Sequence, residues 1–170
     1  MNKENITDFS KLLGTFPCFP TVLVTCEENI ITLALVHIFS FNPPLIGIGV
    51  APKRYSYGLI NKRKEFVVNM PTKNLLSQTN FCGTKSGRDT DKFRETGLTK
   101  EASRIVKSVS IKECPVNLEC KVVKEIETGD HIWFIGEVVN GKIAGDFKIE
   151  ETILYWKGLY RSPGNVIKER

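Results

Sequence analysis

An uncharged stretch in the first third of the chain constrains the fold more than any other feature. With His37 taken as neutral, no residue from Asn29 to Pro52 carries a formal charge. Two apolar runs within it are rich in Val, Ile, Phe and Thr, which favour strands, and Asn42-Pro43-Pro44 separates them. Proline cannot continue a helix and lacks a backbone donor. The sequence therefore predicts a strand over Ile30 to Phe41, a turn, and a second strand over Leu45 to Val50.

The length of this stretch also approaches the roughly 20 apolar residues that a membrane-spanning helix needs. Such a helix would have to accommodate Asn-Pro-Pro near its midpoint, in lipid, where the freed backbone groups find no water. We therefore expect no membrane partner. The polar N-terminus, Met1 to Leu13, lacks the apolar core of a secretory signal, which favours a cytoplasmic protein.

Length and charge narrow the class of protein further. A chain of 170 residues is most simply one domain spanning residues 1–170. The formal charge is +5, but the 24 Lys and Arg are scattered among 19 Asp and Glu without a long basic run. A basic barrel that binds nucleic acid is an alternative supported by this charge and by several aromatic residues, namely Phe39, Phe41, Tyr55 and Tyr57. We expect no nucleic-acid partner, because basic and aromatic residues do not interleave along one strand.

The cysteines indicate neither a disulfide framework nor a metal site. Five are present, an odd number, and no two form a CxxC pair: Cys18, Cys26, Cys82, Cys114 and Cys120. The only histidines are His37 and His131, so zinc-ligand spacing is missing as well. We expect reduced thiols, several of them buried, and no bound metal.

The remaining elements are short and mixed. Helical patterns cover Asn2 to Leu13, Ser56 to about Lys64, Pro71 to Gly83 and Asp91 to Arg94. Further strand patterns cover Thr21 to Cys26, Phe66 to Met70, Val116 to Val122, His131 to Val139 and Thr152 to Trp156. Strands bunched at both ends with helical pieces between them favour a closed β-barrel with inserted helices, because a doubly wound sheet needs strands and helices in alternation.

A cluster of cations and hydroxyls follows the second predicted strand. Lys53, Arg54, Tyr55, Ser56 and Tyr57 place two positive charges beside three hydroxyls. Cations offset the charge of a phosphate monoester and hydroxyls donate to its oxygens, so the cluster is suited to bind one. The alternative is an ordinary solvated loop.

Other sequence patterns fail as catalytic motifs. Gly47-Ile48-Gly49 begins like a dinucleotide fingerprint, but Pro52 stands where the third glycine belongs. The loop Gly83 to Gly87 has amides and hydroxyls yet lacks phosphate-loop spacing. Ser86 is not within G-x-S-x-G, so a hydrolase is disfavoured.

Nine motifs occur in the order seen in one protein family. They are Asn29-Ile30-Ile31-Thr32-Leu33-Ala34, Asn42-Pro43-Pro44, Arg54-Tyr55-Ser56, Glu65-Phe66-Val67-Val68-Asn69, Cys82-Gly83 through Ser86-Gly87, Asp91-Lys92-Phe93, Gly97-Leu98, Leu118-Glu119-Cys120 and Gly129-Asp130-His131. With this set the chain resembles the flavin reductase-like, FMN-binding split-barrel proteins, and most of all their flavoredoxin and archaeal ferric reductase branch. The likeness runs from about Phe16 to Val139, with a weaker echo at Tyr160-Arg161-Ser162-Pro163-Gly164.

The resemblance implies a homodimer of six-stranded antiparallel split barrels, with FMN in a cleft near the subunit interface. Thr32, Leu33 and Ala34 would lie along the isoalloxazine ring, their amides and hydroxyl facing N5 and O4. The phosphate would be held by Lys53, Arg54, Ser56 and Tyr57. Ser86 and Lys92 would add polar contacts at the ribityl or phosphate end, and His131 would lie where a nicotinamide could stack.

The function expected on this basis is an NAD(P)H-dependent reductase, in which NADH or NADPH passes hydride to FMN and the electrons go on to an acceptor. Free flavin, ferric iron, a quinone or a redox protein are the candidate acceptors. The alternative is a non-enzymatic FMN-binding electron-transfer protein. His131 could instead simply hydrogen-bond Asp130. Tyr155 and Trp156 look like core aromatics, with a late aromatic covering the flavin as the alternative.

Overall fold

The computed structural model describes residues 9, 13, 15, 16 and 19–168. The predicted helix over Asn2 to Leu13 lies outside the described residues except for Phe9 and Leu13, which have helical backbone. Within the described part of the chain, no helix is both long enough and apolar enough to cross a membrane.

Strands dominate the described residues, as the sequence predicts. The strands are β1 (Phe19–Pro20), β2 (Val22–Cys26), β3 (Asn29–Leu33), β4 (Val36–Phe41), β5 (Pro44–Val50), β6 (Glu65–Met70), β7 (Lys100–Glu101), β8 (Ser110–Ile111), β9 (Val116–Thr128), β10 (His131–Ile143), β11 (Leu154–Trp156) and β12 (Leu159–Arg161). The helices are α1 (Tyr55–Arg63), α2 (Leu76–Thr84) and α3 (Lys92–Thr96), with 3-10 turns at Lys73–Leu75 and Ile149–Glu151.

The main sheet has seven strands in the order β3-β2-β6-β9-β10-β5-β4, and every pair is antiparallel. Its two edge strands, β3 and β4, are consecutive in the chain and joined by Ala34 and Leu35. The sheet has seven strands where six were expected of the barrel, because the run predicted as one strand over Ile30 to Phe41 is two. At this break the backbone already pairs with β5, because the Leu35 carbonyl accepts from the Gly49 N–H at 2.8 Å.

Burial on both faces explains the uncharged sequence of β3, whereas much of β4 is exposed. Two apolar clusters fill the molecule, one inside the curled sheet around Phe66 and Phe134, the other between the sheet and helices α2 and α3. Along β3, Ile31 belongs to the first cluster and Ile30 to the second. Successive side chains of a strand point to opposite faces, so a strand covered on both sides reads as continuously apolar.

Helix boundaries differ from the predictions by a few residues. The helix predicted from Ser56 begins one residue earlier, with Arg54 at the N-cap and no side-chain cap. Asp91 caps α3 by accepting from the Arg94 N–H at 3.2 Å, and Gly97 ends it in the left-handed conformation with φ of 69°. Glycine adopts this conformation without strain.

The cysteines within the described residues are free and buried, as expected for reduced thiols. Burial raises the pKa of Cys26 to about 12 and that of Cys82 to about 11. Thiols with raised pKa values are poor nucleophiles at neutral pH. Cys18 lies outside the described residues.

A small second sheet brings the end of the chain onto the barrel. Its order is β1-β11-β12, with Phe19 opposite Tyr155 and Tyr155 opposite Tyr160. The Thr21 N–H donates to the Ile153 carbonyl at 2.9 Å. This pairing places Tyr155 of β11 and Tyr160 of β12 beside β3.

Candidate functional site

Two connected cavities lie along the edge of β3. The first, of about 460 Å³, lies between β3, helix α2 and the β11–β12 hairpin, and the second, of about 280 Å³, lies between α1, α2 and α3. Both are lined by the same four residues at their junction: Ile31, Arg54, Gly83 and Thr84. A ligand can therefore extend from one cavity into the other.

The register of the β2–β3 hairpin leaves backbone groups of β3 unpaired on this side. A two-residue turn makes the closing pair Cys26 and Asn29 hydrogen-bonded, so the next pair, Thr25 and Ile30, is not. The Ile30 carbonyl accordingly points away from β2 and accepts from Lys92 Nζ at 2.6 Å. Thr32, two residues on, has the same orientation, which directs its backbone groups to the cavity side.

The Thr32 side chain has a different direction from its backbone. Its hydroxyl donates to the Thr79 carbonyl of α2 at 2.6 Å, so its single proton is used within the protein. A Cβ at Gly83 would lie 3.2 Å from Thr32 Cβ, which shows how closely α2 approaches β3. Leu33 and Ala34 also line the first cavity.

Aromatic residues of the C-terminal hairpin line the first cavity across from β3. The rings of Tyr155 and Tyr160 lie 5.5 Å apart at 63°. Thr21 also lines this cavity, and its hydroxyl is buried without a partner among the described residues. A buried hydroxyl without a partner is costly, so its presence here favours a polar ligand edge.

The second cavity is strongly cationic. Five basic residues line it: Lys53, Arg54, Lys85, Arg88 and Lys92. None of the described residues that line it is Asp or Glu. Helix α1 begins at this cavity without a side-chain cap, so the positive end of its dipole and its first amides add to the cationic character.

Lys92 is the buried member of this set, with only 4% of its surface exposed. Its Nζ donates to two carbonyls, those of Ile30 at 2.6 Å and Cys82 at 2.7 Å. Burial lowers the pKa of Lys92, and the nearby Arg54 charge acts in the same direction. An anion beside Arg54 and Lys92 would offset this repulsion.

Hydroxyls complete the second cavity. Ser56, in the first turn of α1, is 3% exposed, and its Oγ accepts from Asn29 Nδ2 at 2.7 Å. Ser86 Oγ accepts from the Arg88 N–H at 3.2 Å, which shapes the loop between α2 and α3. The predicted phosphate residues Lys53, Arg54 and Ser56 are thus brought together with Ser86 and Lys92.

Tyr57 is not brought to either cavity. Its ring packs against Phe134 with centroids 5.7 Å apart, in the cluster inside the sheet. The side chain of Tyr57 is thus directed to the inside of the sheet, while Ser56 lines the second cavity. The prediction that Tyr57 holds the phosphate is therefore not supported.

His131 begins β10 and lines the first cavity. It also borders a neighbouring cavity of about 300 Å³ together with Lys53, Arg54 and Asp130. His131 Nδ1 and Asp130 Oδ1 are 2.7 Å apart, the hydrogen bond that the sequence suggested, and it lowers the pKa of Asp130. This contact orients the His131 ring where the first cavity meets the neighbouring cavity of about 300 Å³.

Several lining residues were missed from sequence. Lys85 and Arg88 lie in the glycine-flanked loop whose amides and hydroxyls were noted, but their charges look like those of any solvated loop. Asn80 belongs to no motif, and Tyr160 begins only the weaker family echo, which gave it no role. Asn29 opens the first of the nine family motifs, yet its spacing does not reveal its contact with Ser56.

Comparison with solved structures defines the fold as the split barrel of flavin reductase-like proteins. Flavoredoxin from Methanosarcina acetivorans superposes with a TM-score of 0.87 at 25% identity, over 99% of this chain and 95% of that one. An FMN-binding protein from Thermus thermophilus has a TM-score of 0.84 at 21% identity, over 100% and 98% of the two chains, a likeness that shows the fold alone.

Sequence comparison gives the family. Residues 14–164 match the family model described as flavin reductase like domain, so the chain belongs to this family. An uncharacterized protein of Archaeoglobus fulgidus is 44% identical over 122 residues, which are 72% of this chain and 69% of that protein. The resemblance read from the nine motifs is confirmed.

Proposed function

We propose that this protein binds FMN across the two cavities and acts as an NAD(P)H-dependent reductase that passes electrons on to an acceptor. One observation carries the proposal. A cavity lined by both polar and apolar residues, with aromatic side chains on one wall, opens directly into a second cavity with five cations and no described carboxylate. A flavin mononucleotide has the same division, with a planar ring at one end and a phosphate at the other.

The residues of each cavity fit one part of FMN. The backbone of β3 at Thr32, Leu33 and Ala34 would border the ring on one side, with Tyr155 and Tyr160 on the other. The Thr21 hydroxyl offers a donor that none of the described residues uses. Bound FMN would supply hydride acceptance and one- or two-electron transfer, chemistry for which no side chain in the cavity is suited.

The second cavity fits the phosphate. Positive charge is supplied by four residues, Lys53, Arg54, Lys85 and Arg88. The buried Lys92 adds a further charge, and two carbonyls fix its ammonium group. Ser56 and Ser86 supply hydroxyls. Hydrogen bonds between charged partners are stronger than neutral ones, so this end would contribute most of the affinity.

The side cavity beside His131 is our proposed place for the electron donor. It shares Ala51, Arg54 and His131 with the first cavity, so a nicotinamide there would lie next to the ring. Asp130 fixes the His131 ring through Nδ1 and leaves Nε2 for a ligand. Lys53 and Arg54 at the same opening provide charge for the donor's phosphates.

We propose a homodimer with β4 in the interface. β4 is an edge of the main sheet and carries exposed apolar residues, with Phe41 86% exposed, Ile38 51% and Phe39 48%. An apolar edge strand of this length promotes association unless it is covered. Phe41→Asp should therefore give a smaller species than wild type in light scattering, whereas an unchanged mass would place the interface elsewhere or exclude one.

The first experiment is the visible spectrum of the protein as purified, followed by heat release and identification of the chromophore. A flavin spectrum with FMN as the released compound is expected. If the protein is colourless and does not bind added FMN in a fluorescence titration, the proposed function is wrong.

Anaerobic addition of NADH or NADPH separates reductase from carrier. Bleaching of the bound flavin within seconds, followed by turnover with an acceptor, is expected of a reductase. The likeness to flavoredoxin favours a second candidate, an electron-transfer protein without nicotinamide activity. Bleaching by dithionite but by neither nicotinamide would select that candidate.

A further inference from the structure

Asn29 connects the two segments that form the cationic cavity, although it does not line that cavity. Its Nδ2 donates to Ser56 Oγ in the first turn of α1 at 2.7 Å. Its Oδ1 is buried, has no hydrogen-bond partner among the described residues and lies against Gly87 of the loop between α2 and α3. One amide group therefore contacts both the helix start and the loop.

The direction of the Asn29 hydrogen bond decides what the Ser56 hydroxyl can do. A hydroxyl has one proton, and an amide nitrogen can only donate. Because Ser56 Oγ accepts from Asn29, its own proton has no acceptor among the described residues and is free to be donated into the cavity that Ser56 lines. Without Asn29, the Ser56 hydroxyl can rotate and is no longer held as an acceptor from the protein side.

Gly87 shows how tightly this arrangement is packed. A Cβ at Gly87 would overlap Asn29 Oδ1 and would lie 3.2 Å from Tyr55 Cδ1. Only glycine lets the loop that carries Ser86 and Arg88 lie against the amide. The loop and the start of α1 are thus held in register by contact with one side chain of the β2–β3 hairpin.

We propose that Asn29 is a positioning residue for phosphate recognition: it holds the Ser56 hydroxyl as a donor and thereby makes the site discriminate FMN from riboflavin. The proposal rests on the proposed function, since it concerns the same site. A phosphate ester offers only acceptor oxygens at its dianionic end, so a hydroxyl kept as a donor matches it. Riboflavin carries no phosphate and gains nothing from this hydroxyl.

The test is a double-mutant cycle with FMN and riboflavin as separate probes. Affinities are measured by fluorescence titration for wild type, Asn29→Ala, Ser56→Ala and the double variant. We expect Ser56→Ala to weaken FMN binding about tenfold or more and Asn29→Ala about three- to tenfold, with riboflavin within about twofold. The double variant should equal Ser56→Ala alone, because Asn29 acts through Ser56. Asn74→Ala, an exposed asparagine outside both cavities, is the matched control.

Each other outcome overturns the proposal in a distinct way. Equal losses for FMN and riboflavin in Asn29→Ala would mean a merely structural role. Additive losses in the double variant would mean that Asn29 acts independently of Ser56. If wild type binds FMN no better than riboflavin, the phosphate site itself is absent, and the proposed function fails together with this proposal.

A second pair of variants tests the same contact without touching either polar group. Gly87→Ala should displace the Asn29 amide and lower FMN affinity about as much as Asn29→Ala, with riboflavin unaffected. Gly58→Ala in α1 is the control, because a Cβ there meets no atom within 4 Å. Unchanged FMN affinity in a folded Gly87→Ala variant would also overturn the proposal.

Discussion

Two regions of this molecule gather hydrogen-bond donors, but only the first supplies its own negative charge to receive them. In the first, the loop 103–108 wraps its backbone amides around two carboxylates of the main sheet. Glu119 accepts from the N–H groups of Arg104 at 2.8 Å, Ile105 at 2.7 Å and Val106 at 3.1 Å. The Asn140 amide donates to the same carboxylate at 2.7 Å.

Glu65 completes that first region. Its Oε1 accepts from the N–H groups of Lys107 and Ser108, both at 2.8 Å, and from the Ser108 hydroxyl at 3.0 Å. The anions are part of the chain, so these donors are already used. The cationic cavity has comparable donors at α1 and the loop 84–88 but no described carboxylate to receive them. Charge changes in the first region should therefore affect folding, while charge changes in the second should affect binding.

The largest expected effect is on folding. Glu119→Gln replaces two acceptor oxygens by one and turns an NH₂ group toward backbone N–H groups. We expect a loss of about 3 kcal/mol in the free energy of unfolding, measured with urea, and no change in the ratio of FMN to riboflavin affinity. Glu127→Gln, at an exposed position, should change stability by less than about 0.5 kcal/mol. If folded Glu119→Gln lost its preference for FMN over riboflavin, the two regions would not have separate roles in folding and binding.

The next effect is on binding. Arg54→Ala removes a cation shared by both main cavities, so FMN affinity should fall about 10- to 100-fold, with riboflavin affected far less. Stability without ligand should change by less than about 0.5 kcal/mol, because Arg54 is exposed. Arg94→Ala, on the outer side of α3, is the control. Normal FMN affinity in Arg54→Ala would remove this residue from the phosphate site.

Acid should remove the stabilising contribution of Glu119 in the first region. Burial acts to raise the pKa of Glu119, but its hydrogen bonds from three backbone N–H groups and Asn140 outweigh this and leave the pKa below its usual range. A carboxylate whose pKa is lowered by folding stabilises the protein above its unfolded pKa, about 4.5, and this contribution is lost as the pH falls. The stability difference between wild type and Glu119→Gln should therefore shrink below about pH 4.5, measured by urea unfolding. A constant difference from pH 7 to pH 3 would mean that the Glu119 charge is not responsible.

The sequence was sufficient where chemistry was local. Lys53, Arg54 and Ser56 lie within four residues, so their convergence on one cavity follows from adjacency. The prediction that Ser86 and Lys92 belong to the site came only from the resemblance to the family. Tyr57 shared the cluster, but the helix that begins at Tyr55 turns it to the core.

Other features depend on contacts that sequence spacing does not contain. Asn29, Ser56 and Gly87 are far apart in the chain and meet because a hairpin, a helix start and a loop converge. The break between β3 and β4 was invisible because both faces of this segment are apolar, which removes the periodicity that marks a strand end. Tyr160 reaches the first cavity only through the pairing of β1, β11 and β12.

The smallest expected effect distinguishes the role of the β3 backbone in binding from the role of its side chains. Thr32→Val removes the hydroxyl that donates to Thr79 while keeping the shape, so stability should fall by about 1 kcal/mol in thermal or urea unfolding. FMN affinity should stay within about twofold, because the backbone of Thr32 faces the cavity and the hydroxyl proton does not. Thr152→Val is the control, since its hydroxyl also donates to a carbonyl, that of Ile149 at 2.7 Å, but outside both cavities. A tenfold loss of FMN affinity in Thr32→Val alone would instead place the hydroxyl against the ring and make β3 a binding surface through its side chains.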